Sequence, residues 1–593
     1  MGQCFRSAGE RTFHLPFTSR AARPAMGKLY GGSRSHDTLS DRVSHCLPCA
    51  KTMMSHKKMM KLFLLLAMFL FPQAVRAATD IRFAGIFTDH AVLQRDVSVP
   101  VWGWAGPGEK VSLTFVNQTK TTAADAAGKW MVRLDPMPAS AESREMVVQS
   151  EDGTRKSKLA DILVGDVWLC SGQSNMAIGA RVYPVLAERL SKTNQPLLRL
   201  CGVPYSCPPE ALPDVAAPWQ PANPQSACHM SVIGFLFGER IQKETGIPIG
   251  IINSSRGGAL IENWTPAEIV EENSLYETYT KNFRIEMDRY PALKVEFERE
   301  LAEFQLRFPT KEALDAENRA RKEKGEKPLQ APREPRGPNR QNRPGSLFNG
   351  MIAPLLPYSL KGVLWYQGEG NVWDFSNYDQ KMVTMIRTWR GLWDQPNLPF
   401  FMTELAPLGK HSATPQDSPR CRFGVALAKG AVDAGNAWTI TITDAGEQEE
   451  IHPRYKEVPA ERFAARVLAE VYGKPGVSHG PVLKSWKTEG NKAVLTFDSA
   501  GQGLEARSVD LDGHKLKADV LSGFEIADKN RNFFRATAEV RGTNTVVVSC
   551  PEVPEPAAVR YAWANFPLCN LYNKEGFATY PFRTDDWPWK TPE

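Results

Sequence analysis

The residues in this 593-residue sequence best suited to chemistry are a serine, a histidine and the carboxylates beside that histidine. Ser174 sits in Ser171-Gly172-Gln173-Ser174-Asn175-Met176, directly after an apolar run at 163–170. Such a run reads as a strand buried on both faces, and ligands of a parallel α/β sheet bind at the carboxyl ends of its strands. A serine in that turn is placed for attack on a bound carbonyl. The turn is not the G-x-S-x-G nucleophile elbow, because Met176 stands where the last glycine would be. His452 lies in Glu449-Glu450-Ile451-His452-Pro453. An imidazole there can take the serine proton while a carboxylate fixes its tautomer. Two more segments offer donors for the negative charge that forms on the carbonyl oxygen. Residues 251–258 end an apolar run in Gly257-Gly258, whose backbone N–H groups can approach a ligand closely. Residues 365–371 end another in Gln367-Gly368-Glu369-Gly370-Asn371, and Asn371 supplies a neutral amide donor. Together these types point to acyl transfer through a serine nucleophile. Singly, each has a plain structural reading: a helix N-cap for Ser174, strand–helix turns for the glycines, a residue before a helix for His452.

The elements that must position these loops alternate. Apolar runs at 163–170, 249–252, 362–366, 400–403 and 438–443 are separated by helical segments at 235–245, 378–393 and 460–472. That order predicts a parallel α/β sheet over about 161–475. Before it, short alternating strands at 98–104, 110–115 and 130–134, divided by Gly/Pro turns, predict a small β-sandwich over 78–160. After it, runs at 493–497, 533–540 and 545–548 predict a C-terminal β domain with a tail over 476–593. Residues 276–343 interrupt the α/β pattern. Highly charged, helix-like at first and Lys/Arg/Pro-rich at the end, they read as a solvated insertion.

Composition narrows the class. At 42% hydrophobic and 10% aromatic residues the chain is ordinary globular material with enough apolar content for sizeable cores. A net charge of +6 with no basic stripe interleaved with aromatics argues against a nucleic-acid partner. The 15 tryptophans suit sugar binding as well as core packing. Lys57, Lys58 and Lys61 precede the run 62–71, Pro72 and Val75-Arg76-Ala77, which reads as a secretory signal peptide over 53–77. The run is too short to span a bilayer. No cysteine follows the cut, so no lipid anchor is expected. The mature protein is expected in the periplasm or outside the cell, with no membrane anchor. Residues 1–52 then lie upstream of a start at Met53, Met54 or Met59. Cys201 and Cys207 are spaced for a local bridge in an oxidising compartment. No Cys/His cluster has zinc-ligand spacing, so no metal is expected.

In chain order, Ser174, the Gly257-Gly258 pair, Asn371 and His452 resemble the four blocks of the SGNH (GDSL-like) hydrolases. More narrowly, VGDVWLCSGQSNM, SSRGGALIENWTP, LFNGMIAPLLPYSLKGVLWYQGEGN, NYDQKMVTMIRTWRGLW, EIHPRYKE and AVRYAWANFPLCNLYNKEGFATYPFRTD resemble the sialate O-acetylesterase family and its relatives acting on acetylated plant polysaccharides. The resemblance covers most of residues 80–590. It implies a flavodoxin-like, three-layer parallel α/β domain between β domains, and a serine esterase removing O-acetyl groups from a carbohydrate without a cofactor. His452 would be the base, and the N–H groups of Ser174 and of Gly257 or Gly258, with the Asn371 amide, the oxyanion donors. Gln173, Gln367 and Glu369 are implied as substrate or supporting contacts. The chain departs from the family at Ala259, Gly370 and Glu450, where threonine, serine and aspartate are usual. In SGNH enzymes generally the acid lies three residues before the histidine, which is Glu449 here. Glu449 and Glu450 therefore both stand as the orienting acid, with Glu369 as a third. O-acetylated sialic acid is the substrate implied first. Acetylated xylan or another plant polysaccharide is one alternative, and a carbohydrate-binding protein with a vestigial esterase site is another.

Overall fold

The computed structural model describes residues 80–589; the upstream extension and signal segment expected at 1–77 lie outside the described residues. The first strands form two small sheets. Arg82–Phe83, Val99–Trp104 and Lys129–Leu134 pair antiparallel in one. Lys110–Phe115, Gln118–Ala123 and Ser140–Ser150 build the other. Lys110–Phe115 shows why: its residues alternate between buried and exposed, as a strand with one face on a core must.

A single long strand, β1 (Lys156–Gly172), joins this region to the next. Its first part pairs antiparallel with Ser140–Ser150, and Leu163–Gly165 pair parallel with Val92–Gln94. Its second part, Ile162 onward, is buried throughout. The change falls at Asp161, which adopts a left-handed conformation (φ 55°) and ties the strand to Arg199 Nη1 at 2.6 Å and His90 Nδ1 at 2.7 Å.

Six further strands complete the central sheet: β2 (Gln195–Gly202), β3 (Trp219–Ala222), β4 (Ile249–Ser255), β5 (Gly362–Tyr366), β6 (Phe400–Thr403) and β7 (Ala437–Ile440). Their order is β3-β2-β4-β1-β5-β6-β7. The pairs β2-β4, β4-β1, β1-β5, β5-β6 and β6-β7 run parallel, and β3 lies antiparallel to β2. Strands β5 and β6 are buried at every residue, the pattern of a sheet covered on both faces.

The covering helices carry their own stop and start signals. Helix α1 (Val232–Thr245) begins with Ser231, whose side chain accepts from the Gly234 N–H, and ends at left-handed Gly246. It lies so close to the sheet that a Cβ on Gly238 would come within 2.9 Å of Ile251. Helices α2 (Glu277–Arg307) and α3 (Lys311–Glu323) form the charged insertion; in α2 only Thr280 is buried and in α3 no residue is. Helix α4 (Tyr378–Leu392) packs Met382, Met385, Ile386 and Trp389 inward, and Trp389 meets Trp365 edge-on at 6.0 Å. Helices α5 (Pro419–Ala434) and α6 (Glu457–Glu470) follow.

One apolar core runs without interruption from Ile81 to Leu468. A second, around Leu495, Phe497, Phe524, Ile526, Tyr561 and Leu571, belongs to two four-stranded antiparallel sheets after residue 481. The tail returns to the first core's surface, where Trp589 packs on Phe375 at 5.3 Å. The bridge expected between Cys201 and Cys207 is absent: both are free thiols, and buried Cys201 Sγ instead faces the Ala217 carbonyl at 3.3 Å. Among the described residues no helix is long and apolar enough to cross a membrane.

Candidate active site

Strand register brings the four sequence segments together. Gly172 at the end of β1 pairs with Ser255 of β4 on one side and with Tyr366 of β5 on the other. The loops that leave these three strands therefore open at the same edge of the sheet. At Gly172 the chain takes φ 125°, and any Cβ would lie 2.1 Å from the Tyr366 carbonyl oxygen. Only glycine fits there. The Gln173 N–H then donates to Tyr366 O at 2.8 Å, and Ser174 opens the short helix Ser174–Ala177. At that first helical position its N–H has no intrahelical acceptor and stays free for a ligand.

The loop between β7 and α6 delivers the histidine. His452 Nε2 lies 2.8 Å from Ser174 Oγ, a hydrogen-bond distance. On the other ring face, Glu450 Oε1 stands 3.4 Å from His452 Nδ1 and accepts the His452 backbone N–H at 2.7 Å. Glu449 is exposed and makes no side-chain hydrogen bond or ion pair among the described residues. Two contacts tie the loop to the serine turn: the Tyr183 hydroxyl donates to the His452 carbonyl at 3.3 Å, and Asn175 Nδ2 donates to the Ile451 carbonyl at 3.1 Å.

Of the two glycines, Gly257 lies beside the nucleophile, where an added Cβ would be 3.5 Å from Ser174 Cβ. Gly258, at φ 68°, faces Gln341. Gln173 fixes its Oε1 on the N–H groups of Gly368 at 3.1 Å and Gly370 at 3.5 Å. Its Nε2, one residue from the nucleophile, has no protein acceptor among the described residues. Asn371 sits deeper. Its Oδ1 accepts from the Ile261 N–H and Gln367 Nε2, and its Nδ2 donates to Glu262 Oε2 at 3.0 Å. Its hydrogen-bond partners are thus the floor of the site, not Ser174 or His452. Gln367 is fully buried and braces the same floor, donating to the Ala259 carbonyl and accepting from the Tyr378 hydroxyl.

Glu369 does not reach His452. Its Oε1 accepts from Asn175 Nδ2 at 2.5 Å, while its buried Oε2 has no partner. Asn175 in turn accepts from Lys456 Nζ at 2.5 Å. This lysine was not legible as a site residue: it lies four positions after His452 with nothing in its neighbours to mark a buried ammonium. Burial pushes its pKa down to about 8, against the pull of Glu369, Glu447 and Glu450. An ammonium whose folded pKa lies below its unfolded value of 10.5 costs stability while charged, and that cost fades as pH rises between the two values. Measured against Lys456→Met, the wild type is therefore expected to gain unfolding free energy between about pH 7.5 and about pH 10 in urea titrations. A difference that does not change with pH would contradict the burial account.

Beside His452 opens a cleft of about 630 Å³ lined by Ile178, Val182, Tyr183, Val185, Arg454 and Tyr455. Val182 and Val185 are exposed in it at 65% and 80%, so it offers an apolar wall next to the base. Among the described residues no group of His, Cys, Asp and Glu is arranged to hold a metal ion.

Residues 164–295 and 341–452 match the family model described as carbohydrate esterase, sialic acid-specific acetylesterase. The two spans contain Ser174, Gly257, Asn371, Glu450 and His452, and the gap between them falls in the charged insertion. The mouse sialate O-acetylesterase is 26% identical over 85% of this chain and 94% of its own length. The human one is 24% identical over 86% and 94%. Among solved structures, a carbohydrate acetylesterase from Xanthomonas citri is 29% identical and superposes with a TM-score of 0.68 over 85% of this chain and all of its own. The chain thus resembles the sialate O-acetylesterase family of carbohydrate esterases, and it is an esterase.

Proposed function

We propose that this chain is an exported serine esterase that removes O-acetyl groups from carbohydrate, with O-acetylated sialic acid as its substrate. Its catalytic domain would be of the SGNH, flavodoxin-like type over about 161–475, between β domains at 78–160 and 476–593. The observation that carries the mechanism is the 2.8 Å approach of His452 Nε2 to Ser174 Oγ. His452 takes the Ser174 proton as Oγ attacks the acetyl carbonyl, and returns it to the sugar oxygen as the alcohol leaves. Water, deprotonated by the same imidazole, then releases acetate from the acyl-enzyme. The Ser174 and Gly257 N–H groups meet the oxyanion. Such donors each contribute about 2.7 to 4 kcal/mol when aimed at developing charge. The step needs no metal or organic cofactor. The sugar leaving group is placed in the cleft beside His452. A fluorophosphonate tests the assignment: the reagent is expected on the peptide that contains Ser174, and labelling elsewhere or none would contradict it.

Glu450 is the carboxylate that orients His452 in this reading. At 3.4 Å from Nδ1, with its side chain 56% exposed, it acts through water-weakened electrostatics. Glu450→Gln is therefore expected to lower kcat on the order of 10- to 100-fold, well short of the roughly 10⁴-fold lost when a buried triad acid is neutralised. Glu449→Gln is expected to stay within about twofold of wild type, as an exposed carboxylate without a partner should. Equal losses in both, or a loss only at Glu449, would reassign the orienting acid.

A further inference from the structure

The charged insertion is not remote from the site. After α3 the chain runs back across the molecule and puts Gln341 on the oxyanion loop, where its Nε2 donates to the Gly257 carbonyl at 3.0 Å. The same side chain accepts from Arg256 Nε at 3.3 Å. Arg256 is anchored at its backbone too, its N–H donating to the Gly172 carbonyl at 3.0 Å. Its guanidinium carbon lies over the Tyr205 ring, 3.8 Å from the centroid, and Tyr205 is 45% exposed. Arg256 is exposed and has no carboxylate partner among the described residues. Arg340, the other cation beside Tyr205, is already held by Glu334.

Three features thus coincide at one place. A planar cation is fixed by an aromatic face beneath it and by one hydrogen bond at Nε. Its two Nη groups have no partner among the described residues. Its neighbour Gly257 lies beside the nucleophile, where an added Cβ would be 3.5 Å from Ser174 Cβ. A guanidinium fixed in this way loses little further freedom on binding, and its open fork matches the two oxygens of a carboxylate. We propose that Arg256, seated on Tyr205 and steadied by Gln341, is the subsite that binds the carboxylate of an acidic sugar and so presents its O-acetyl group to Ser174. The inference rests on the O-acetyl-carbohydrate esterase reading and names the residue through which an acidic sugar is preferred to a neutral one. It also gives the insertion a role, as the segment that closes this subsite over the oxyanion loop.

The test separates binding from turnover. Ser174→Ala protein is titrated by ligand-observed NMR with N-acetylneuraminic acid and with its methyl ester, in which the carboxylate charge is capped by a methyl group. The free acid is expected to bind about tenfold tighter or more, the size of a charge-assisted hydrogen-bond pair. In the same background Arg256→Gln should shrink that ratio to below about twofold, and Arg256→Lys, which keeps the charge but not the fork, should fall between. Melting temperatures of all three identify any variant that has failed to fold, and the parent ratio stands without them. No binding of the acid, no preference for it, or a preference that survives Arg256→Gln would each overturn the subsite. Acetate release by the Ser174 protein is scored separately. Turnover of acetylated sugars without the binding preference would sink the subsite alone, whereas the preference without turnover would sink the esterase reading alone.

Discussion

Ser174→Ala is expected to lower kcat toward p-nitrophenyl acetate on the order of 10⁵- to 10⁶-fold, as loss of the nucleophile does in serine hydrolases. The expectation follows from how little else in the site can replace it. His452 Nε2 has Ser174 Oγ as its side-chain partner, and no metal-holding group is present among the described residues. The substitution should leave the fold intact. Ser174 is only half-buried, its backbone is held by the turn on Tyr366 and Gly172, and an alanine at a first helical position is well tolerated. What remains should be the modest catalysis that donors and binding provide without a nucleophile. The measurement is kcat beside the melting temperature. A variant that keeps more than about a hundredth of the activity while folded would remove Ser174 from the chemistry.

The second large effect is on stability. Glu262 is 1% exposed and sits at the floor of the site, with Lys381 Nζ 2.7 Å from its Oε1 and Asn371 Nδ2 3.0 Å from its Oε2. Burial opposes the Lys381 charge, but Glu262 and then Asp374 outweigh it and hold the ammonium above its usual pKa. Lys381→Ala would strand a buried carboxylate with a single neutral donor. Breaking a buried pair from one side costs about 3 to 5 kcal/mol. In a chain of 593 residues that corresponds to a fall of roughly 2 to 4 °C in Tm. Replacing both partners, as Glu262→Met with Lys381→Met, should recover much of the loss, because the buried carboxylate goes with its partner and the Asp374 left behind is 38% exposed. Calorimetric scans of the single and double variants decide it; a double variant no more stable than Lys381→Ala would mean that the pair is not the source of the loss.

How much of this was legible in the sequence depended on whether a residue's role is local. Ser174 and His452 could be picked out because a serine after a buried strand and a histidine after carboxylates carry their chemistry in their immediate neighbours. The choice between Glu449 and Glu450 could not be made from spacing, since it turns on which way one loop residue's side chain leaves the backbone; Glu450 Oε1 stands 3.4 Å from His452 Nδ1, while Glu449 is exposed. Asn371 shows the opposite limit. Its amide was expected at the oxyanion, yet its nearest partners are Glu262 and Gln367, contributed by segments about a hundred residues apart, and no periodicity announces such a buried network. Lys456 was invisible for the same reason. The strands β4, β5 and β6 were readable as apolar runs because a sheet covered on both faces asks for nothing else. The full reach of β1 was not: residues 156–161 are exposed or only partly buried, so the pattern hid a strand that passes continuously between two sheets. In the insertion, charge correctly announced exposed helices, but nothing in its Pro/Arg-rich end signalled that Gln341 returns to Gly257.

The most direct test of the account is acetate release by the purified chain from O-acetylated sialic acid, with acetylated xylo-oligosaccharides assayed alongside. Release from the acetylated sialic acid, lost in Ser174→Ala, is the predicted result. Release only from the xylo-oligosaccharides would contradict the substrate assignment, and release that persists in Ser174→Ala would contradict the mechanism itself.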